Sequence, residues 1–245
     1  MNTAAIIEAR MTSTRLPGKV LKPILGRPTL ELLVERLRRV LRLDQVIVAT
    51  TVNRTDDPVE ALARKIGAGC FRGSEEDVLD RVLKAAQAHG AELIVEITGD
   101  CPLADPATID RVLDAFHQGG CDYASNVLKR TYPRGIDVQV FPTRVLEEVA
   151  RLTSDPVDHE HVSLYIYSHP ERYRLRDVVS GLDARQADLR LTVDTPEDFA
   201  LIQAVYEALY PADPAFGLPE VIAFLEARPA LARMNQHIQQ KQVRQ

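Results

Sequence analysis

The sequence lacks several features that mark common classes of protein. Its three cysteines have no C-x-x-C spacing and leave an odd thiol, which argues against a disulfide framework and a structural zinc site; they are Cys70, Cys101 and Cys121. No apolar run approaches the length of a membrane span, and residues 1–3 lack the positive charge of a secretory leader. We therefore expect a cytoplasmic protein in a reducing compartment, with no membrane partner.

Familiar nucleotide motifs are missing as well. The chain contains neither the G-x-x-x-x-G-K-[ST] loop nor the G-x-G-x-x-G turn. The net charge of -5 argues against a nucleic-acid binder, but the charge is unevenly distributed. Residues 1–43 carry nine Lys/Arg and three Glu, a net of +6, which leaves -11 for the rest. A basic first lobe on an acidic protein suits a small polyanion.

Apolar strands and amphipathic helices alternate over the first half of the 245 residues. The pattern predicts strands at 4–7, 45–51, 70–71, 92–98 and 121–126, and helices at 29–43, 57–66, 74–89 and 105–117. Strands alternating with helices predict an α/β fold, with a mainly parallel open sheet flanked by helices and right-handed crossovers.

The β-α alternation breaks at residue 129. Strands are predicted at 135–141, 174–180 and 189–193, and helices at 142–152, from 155, from 195 and at 218–227. We interpret 1–231 as one domain, with a smaller α+β insertion at about 129–180 for acceptor binding and dimerisation. The apolar residues of 135–173 either pack against a second copy in a C₂ dimer or cover the chain's own sheet. The tail, 232–245, is polar and is either a surface helix or disordered.

A basic loop follows the first predicted strand. Arg10, Arg15 and Lys19 lie within ten residues of one another, beside the turn formers Pro17 and Gly18. Fixed cations and backbone N–H groups at the end of a strand are suited to binding phosphate. The alternative is a basic surface loop, to which we assign Lys22.

Two aspartates follow predicted strands. Asp100 comes after 92–98, and Asp194 comes after 189–193. Ligands of open α/β sheets bind at the carboxyl ends of the strands, so both carboxylates can face one crevice. Carboxylates and nucleotide phosphates supply the hard oxygen ligands that Mg²⁺ prefers. The alternative is a structural role for each aspartate before its helix.

Three stretches together resemble a known family: Ala9-Arg10-x-x-Ser13-x-Arg15-x-Pro17-Gly18-Lys19, Thr98-Gly99-Asp100-x-Pro102-Leu103, and Val193-Asp194-Thr195-Pro196-Glu197-Asp198. They are similar to motifs of the cytidylyltransferases that activate acidic sugars, the 3-deoxy-manno-octulosonate and acylneuraminate cytidylyltransferases. The resemblance is greatest to the branch of spore-coat polysaccharide biosynthesis. The three motifs extend over nearly 200 residues.

The resemblance implies a nucleotide-diphospho-sugar transferase fold of Rossmann-like type and an Mg²⁺-dependent homodimeric enzyme. Its substrates would be CTP and a small acidic sugar, and its products a CMP-sugar for surface polysaccharide and pyrophosphate. The catalytic residues would be Arg10, Lys19, Asp100 and Asp194, with Asp100 and Asp194 holding the metal. The nucleotide-binding residues would be Ala9, Arg10, Ser13, Arg15, Gly18, Lys19, Arg72 and Ser74.

The resemblance also gives Arg72 and Ser74 the role of reading cytosine, although Ser74 is equally explained as a helix N-cap, with Asp77 completing a capping box. Arg134, Asp137 and Gln139 are the candidates for acceptor binding, since an arginine can hold a sugar carboxylate through two hydrogen bonds. We do not expect His159 and His161 to bind one metal ion together, because residues two positions apart do not share a helical face.

The sequence departs from the octulosonate enzymes around Asp100, where Glu96, Cys101 and Ala104 replace the expected polar residues. It therefore retains the nucleotide residues and changes the acceptor pocket. Three alternatives stay open. A glycosyltransferase of related fold usually holds its metal through an Asp-x-Asp pair, which this chain lacks. The second is a nucleotidyltransferase that uses another NTP or a sugar phosphate, and the third is a binding module without catalysis.

Overall fold

A computed structural model describes residues 1–240, with a seven-stranded sheet at its centre. The strands are β1 (Thr3–Glu8), β2 (Pro23–Ile24), β3 (Arg27–Pro28), β4 (Gln45–Thr51), β5 (Gly69–Gly73), β6 (Leu93–Thr98), β7 (Tyr123–Ser125), β8 (Gln139–Pro142) and β9 (Leu175–Asp177). The helices are α1 (Thr29–Leu37), α2 (Asp57–Lys65), α3 (Val78–Ala88), α4 (Pro106–His117), α5 (Thr143–Leu152), α6 (Pro156–Glu160), α7 (Leu164–Ser168), α8 (Ala184–Ala187), α9 (Pro196–Leu209), α10 (Leu218–Glu226) and α11 (Pro229–Ala232).

The sheet has the order β5-β4-β1-β6-β8-β7-β9, and β2 with β3 forms a separate ribbon. Strand β1 pairs in parallel with β4 and β6, and β5 continues the parallel half. Strand β8 is antiparallel to both of its neighbours. The predicted mainly parallel sheet is therefore confirmed. In the β1–β6 pair Glu8 lies opposite Thr98, so the chain segments that follow these two strands emerge side by side.

Both faces of the sheet are covered, as the continuous apolar runs of its strands require. Ala5 and Ile7 of β1 pack in a cluster that includes residues of α1, α2 and α4, while Ala4 and Ile6 pack in another with residues of α3, α5 and α7. This division follows from the alternation of side chains along a strand. A third cluster joins α9 and α10 to the segment 189–193.

Residues 189–193, predicted as a strand, form no strand ladder. The only bridge in this segment joins Arg190 to Arg134. Leu191 N–H donates to Arg134 O at 2.7 Å, and Val193 N–H donates to Asp100 O at 2.8 Å. Both acceptors lie outside the regular strands, so the segment is extended without belonging to a sheet. Several other predicted elements were too long: α1 ends at Leu37, β8 begins at Gln139, and β9 is limited to Leu175–Asp177.

The predicted insertion is part of the main fold. Strand β8 lies within the central sheet, and Val138, Val140, Leu164 and Ile166 are buried in the chain's own core. They are four of the six apolar residues on which the predicted dimer interface over 135–173 was based, and as buried side chains they are unavailable to a second chain. The first part of the polar tail also packs: Asn235 is fully buried. The last five residues of the tail lie outside the described part.

None of the helices within residues 1–240 has the length and apolar character needed to cross a membrane. All three cysteines are free thiols.

Candidate active site

A cleft of about 520 Å³ opens where β1 and β6 end. This is the edge at which open α/β sheets bind their ligands. Its lining contains most of the predicted site residues, from both the nucleotide and the acceptor sets: Ala9, Arg10, Ser13, Arg15, Lys19, Asp100, Arg134, Asp137, Gln139 and Asp194. The topology thus brings together residues that are up to 185 positions apart in the chain.

Lys19 lies between the two aspartates. Its Nζ donates to Asp100 Oδ2 at 2.8 Å and to Asp194 Oδ1 at 3.0 Å, and only 13% of its side chain is exposed. Burial alone would lower the pKa of the Lys19 amine, but the two carboxylates outweigh it and raise that pKa. Burial would likewise raise the pKa of Asp100, and Lys19 together with the Thr98 hydroxyl holds it below its ordinary value. Lys19 and Asp100 therefore stay charged at neutral pH.

The backbone holds the two aspartate segments together. Val193 N–H and the Thr192 hydroxyl both donate to Asp100 O, at 2.8 and 3.2 Å. The preceding residue is fixed by a close approach, because Gly99 N–H donates to Glu8 O at 2.9 Å. A Cβ at position 99 would lie 2.8 Å from that oxygen, so only glycine fits here.

Asp194 is further held by two arginines. Its Oδ2 accepts from Arg190 at 2.9 Å and pairs with Arg15 at 3.1 Å. Arg190, itself buried, also binds the buried Asp198 at 2.9 Å, which fixes the orientation of both side chains. The sequence analysis missed Arg190. The signal was an arginine four residues before Asp194, inside an otherwise apolar segment.

The donor set at the two aspartates suits a hard divalent cation. Carboxylate oxygens of Asp100 and Asp194 already bind one cation, the Lys19 ammonium, between them. Within residues 1–240 there is no group of three or more His, Cys, Asp and Glu residues arranged to hold a metal. Mg²⁺ is commonly bound by only one or two carboxylates, with water and substrate phosphates as the remaining ligands. The two aspartates therefore fit Mg²⁺.

The basic loop contributes its side chains to the cleft, but one predicted N–H group is already used. Arg10 and Arg15 line the cleft with partly exposed guanidinium groups, and Arg10 pairs with Glu75 at 3.4 Å. Gly18 N–H instead donates to Met11 O at 2.9 Å. The positive φ of 70° at Gly18 closes this loop. Gly18 therefore shapes the phosphate site rather than supplying an N–H to it.

The predicted base-reading residues do not line the cleft. The Arg72 guanidinium binds Asp57 and Glu60 at 2.7 and 2.8 Å. The Ser74 hydroxyl accepts from Asp77 N–H, and Asp77 rather than Ser74 is the N-cap of α3. The capping-box prediction was therefore wrong by three positions.

The acceptor candidates line the same cleft, in the part that we call its acceptor end, and the basic loop with Asp100 and Asp194 lines the part that we call its nucleotide end. Arg134 is exposed, with no hydrogen bond or ion pair from its side chain among the described residues. Asp137 pairs with Arg130, which the sequence analysis did not select, and burial raises the pKa of Asp137. Gln139 Oε1 accepts hydrogen bonds from Tyr123 at 2.5 Å and Ser163 at 2.8 Å.

The cleft also contains a carboxyl pair whose function the sequence did not indicate, Glu8 and Glu96. Burial raises the pKa of Glu8 to about 7, with Arg81 opposing the shift, and burial raises the pKa of Glu96 well above its ordinary value. The available signal was a glutamate within or at the end of an apolar strand. Nearby, Val162 has a φ of 42°, a strained value for a β-branched residue of the kind found at functional sites.

His159 and His161 have separate positions, as the helical spacing predicts. The ring of His159 bonds to Asp77 at 2.8 Å and to Thr153 O at 3.0 Å. His161 lines the cleft. The two rings therefore do not share a metal ion.

Comparisons with known proteins agree with this geometry. A family model described as cytidylyltransferase matches residues 4–216. The chain is 38% identical over 232 residues to the spore coat polysaccharide biosynthesis protein SpsF of Bacillus subtilis, covering 93% of this chain and 95% of that protein. It is 32% identical over 247 residues to a 3-deoxy-manno-octulosonate cytidylyltransferase of Solibacter usitatus, covering 83% of this chain and 94% of that enzyme.

The fold is similar to that of a solved relative. A cytidylyltransferase from Leptospira borgpetersenii superimposes with a TM-score of 0.89 at 31% identity, covering 99% of this chain and 100% of that one. The similarity therefore includes the segment 129–180, where the β-α alternation breaks, and the C-terminal helices.

Proposed function

The chain belongs to the cytidylyltransferase family, and from that premise we propose that it transfers the cytidylyl group of CTP to an acidic sugar, giving a CMP-sugar for surface polysaccharide. The observation that carries the proposal is the contact of Lys19 with Asp100 and Asp194, beside Arg15, in a cleft at the carboxyl ends of the strands. The names of the relatives supply the substrate class: one is a spore-coat polysaccharide protein, and another activates an octulosonate.

In the proposed reaction an oxygen of the acceptor attacks the α-phosphorus of CTP, and the bond to the β-phosphate oxygen breaks to release pyrophosphate. Arg10, Arg15 and Lys19 place positive charge on the cleft wall. Because charge shifts onto the leaving pyrophosphate in the transition state, cations positioned in advance stabilise it more than they stabilise bound CTP. Glu75 restrains Arg10, and Asp194 restrains Arg15, so both guanidinium groups are already held near the phosphate site.

Asp100 and Asp194 are the proposed ligands of Mg²⁺. When bound, the ion would supply Lewis-acid polarisation of phosphate oxygens. The protein's own part is to hold the two carboxylates in place. Arg190 fixes Asp194, while Lys19 and Thr98 fix Asp100. Lys19 lowers the pKa of Asp100 and so keeps that carboxylate ionised.

Arg134 is the proposed anchor for the acceptor's carboxylate. Its guanidinium lines the cleft without an internal partner among residues 1–240, whereas Arg130 is held by Asp137. An unengaged arginine can take a carboxylate through two parallel hydrogen bonds. This arrangement supports an acidic acceptor over a neutral sugar.

The proposal is tested by incubating the protein with Mg²⁺, candidate sugar acids and either CTP or UTP, and measuring pyrophosphate release. We expect CTP to be preferred at least about tenfold, which corresponds to about 1.4 kcal/mol, the scale of one discriminating hydrogen bond. Equal rates with CTP and UTP would exclude cytidylyl specificity but not nucleotidyl transfer. If no sugar acid gives pyrophosphate but the phosphate ester of an uncharged sugar is turned over, the acceptor is not a sugar acid.

A homodimer and a cytoplasmic location remain proposals. The dimer rests on the family resemblance and on Tyr165 and Tyr167, which are only partly buried. The free thiols at 70, 101 and 121 are consistent with a reducing compartment. Light scattering at micromolar concentration decides the assembly: a mass of two chains supports the dimer, and a stable mass of one chain excludes it.

A further inference from the structure

Beside Gln139 the cleft contains a buried acidic corner, formed by Glu8 and Glu96. The two side chains project from the same face of the sheet, since Glu96 pairs in register with Ile6, two residues before Glu8 on β1. The charge of Glu8 adds to burial in raising the pKa of Glu96, so the two carboxyl groups lie near each other. Glu96 is only 5% exposed, and both residues line the cleft. The corner is thus buried in protein yet faces the substrate space.

The corner has acceptor atoms that no group within residues 1–240 satisfies. Oε1 of Glu8 and Oε2 of Glu96 are buried, and no donor among the described residues reaches either of them. An unsatisfied buried polar oxygen costs roughly 1–3 kcal/mol, more if it is charged. Such atoms in a ligand cleft indicate that the ligand brings the donor.

The charges around the corner are unbalanced. Glu8 faces Arg81 from α3 and Arg10 from the basic loop, and it also faces the negative charge of Asp100. Glu96 lies near Glu8 and Ser163, and among the described residues it forms no ion pair. The position beside Glu96 therefore has two carboxyl groups and lacks a positive charge of its own.

We propose that the acceptor carries a primary ammonium group, which binds between Glu8 and Glu96. This inference rests on the proposed function, and it narrows the substrate class from a sugar acid to an amino sugar acid. An ammonium supplies three N–H donors and one positive charge, so it can donate to both orphaned oxygens and add a positive charge beside the two carboxyl groups. A hydroxyl brings one donor and no charge.

The rest of the cleft fits a substrate of this kind. Arg134 can bind a carboxylate, and the corner can bind a cation. Both line the same cleft. Gln139 lies opposite Glu96 in the β6–β8 pair. Its Oε1 is already occupied by Tyr123 and Ser163. The amide N–H₂ of Gln139 therefore remains available as a donor near the corner. It can donate a hydrogen bond to a neighbouring hydroxyl of the same sugar.

The test uses 3-deoxy-2-ulosonic acids in matched sets of three. Within a set one hydroxyl is retained, replaced by a primary amine, or replaced by an N-acetyl amine, and the position is varied from set to set. With CTP and Mg²⁺, kcat/KM is measured by pyrophosphate release. We expect the wild type to prefer an amine over its two counterparts by at least about tenfold in one set. Glu96→Gln should abolish that preference without changing the KM for CTP.

Glu76→Gln is the control, because Glu76 is exposed and lies outside the cleft lining; it should keep the wild-type preference. The inference is overturned if kcat/KM for the hydroxyl acid equals or exceeds that for the amine in every set. It is also overturned if the Glu96→Gln variant still prefers the amine. The proposed function would still stand in either case, since pyrophosphate is released.

If no acid is turned over, the proposed function fails, and binding decides the inference separately. Calorimetry compares 2-amino-2-deoxyglucuronic acid with glucuronic acid. Tighter binding of the amino acid by the wild type, lost in Glu96→Gln, supports the corner as an ammonium site. Equal binding of the two probes by the wild type contradicts it.

Discussion

The two ends of the cleft differ in how their charges are balanced. At the nucleotide end each central carboxylate has a cation: Asp100 has Lys19, and Asp194 has Lys19, Arg15 and Arg190. At the acceptor end Arg134 has no internal partner among the described residues, and the orphaned oxygens of Glu8 and Glu96 have no donor. The central carboxylates at the nucleotide end are thus already paired with cations of the protein. At the acceptor end we expect Arg134, Glu8 and Glu96 to find their partners on the ligand.

This difference separates the groups that the protein itself satisfies from the groups that a ligand must satisfy. Groups that satisfy one another are pre-organised and need no particular acceptor. Groups left unsatisfied select against ligands that cannot satisfy them, because each unpaired buried atom then costs free energy. We therefore expect substitutions at the two ends to act on different kinetic parameters.

The largest effect is expected at the nucleotide end. Asp100→Asn and Asp194→Asn should each lower turnover by roughly several powers of ten, because each removes a charged oxygen ligand. EDTA should abolish activity, and Mg²⁺ should restore it. Steady-state pyrophosphate release measures these effects, with circular dichroism to confirm folding.

Asp80→Asn is the matched control, since that carboxylate pairs with Lys84 along the surface of α3, and it should behave as wild type. Near wild-type turnover of Asp100→Asn or Asp194→Asn at saturating Mg²⁺ would refute the two-aspartate site.

A smaller effect, on stability, is expected at the acceptor end. The pKa of Glu8 is raised by burial from its ordinary value of 4.5 to about 7, so the folded state holds a proton that the unfolded state has lost. Its contribution to stability is therefore present below pH 4.5 and lost as the pH rises through 7. Glu8→Gln removes the titratable carboxyl group, and with it the loss of stability at high pH. Thermal unfolding should show a melting temperature above wild type at pH 8, by roughly 2–4 °C for each kcal/mol relieved, and little difference at pH 5.

Glu76→Gln, on the surface, should shift the melting temperature equally at the two pH values. A Glu8→Gln melting temperature that differs from wild type by the same amount at pH 5 and pH 8 would show that Glu8 is not a protonated buried carboxyl in the folded protein.

The sequence allowed the nucleotide end to be predicted because its cations lie in one short loop. Arg10, Arg15 and Lys19 follow a single strand, and the parallel topology places that loop beside Asp100. Asp194 was also correctly assigned to this cleft, although the segment before it is not a strand. What brings it there is hydrogen bonding between irregular segments, for which sequence periodicity gives no signal.

The acceptor end was harder to predict because its residues come from separate elements. Glu8, Glu96 and Ser163 meet only after β1, β6 and the junction of α6 with α7 have packed. Arg72 shows the opposite limit: its local sequence resembles a base site, whereas its guanidinium binds Asp57 and Glu60 of α2. A short motif shows which residues are adjacent in the chain. It does not show which charged side chains from other elements will bind them in the fold.

The central claim is that the two ends of the cleft bind different substrates. Lys19→Ala tests one end and Arg134→Ala the other, with Lys22→Ala as control, because Lys22 lies outside the cleft lining, with its ammonium 5.1 Å from the Phe199 ring centroid. Each loss of a charge-assisted contact is worth roughly 1.5–3 kcal/mol.

The deciding measurement is kcat and both KM values in these three variants and in the wild type. Lys19→Ala should lower kcat/KM for CTP by about ten- to a hundredfold, mostly through kcat, and leave the acceptor KM unchanged. Arg134→Ala should raise the acceptor KM by about ten- to a hundredfold and leave the KM for CTP unchanged. Lys22→Ala should match wild type. An acceptor KM raised by Lys19→Ala as much as by Arg134→Ala, or equal losses in Lys19→Ala and Lys22→Ala, would contradict the division of the cleft.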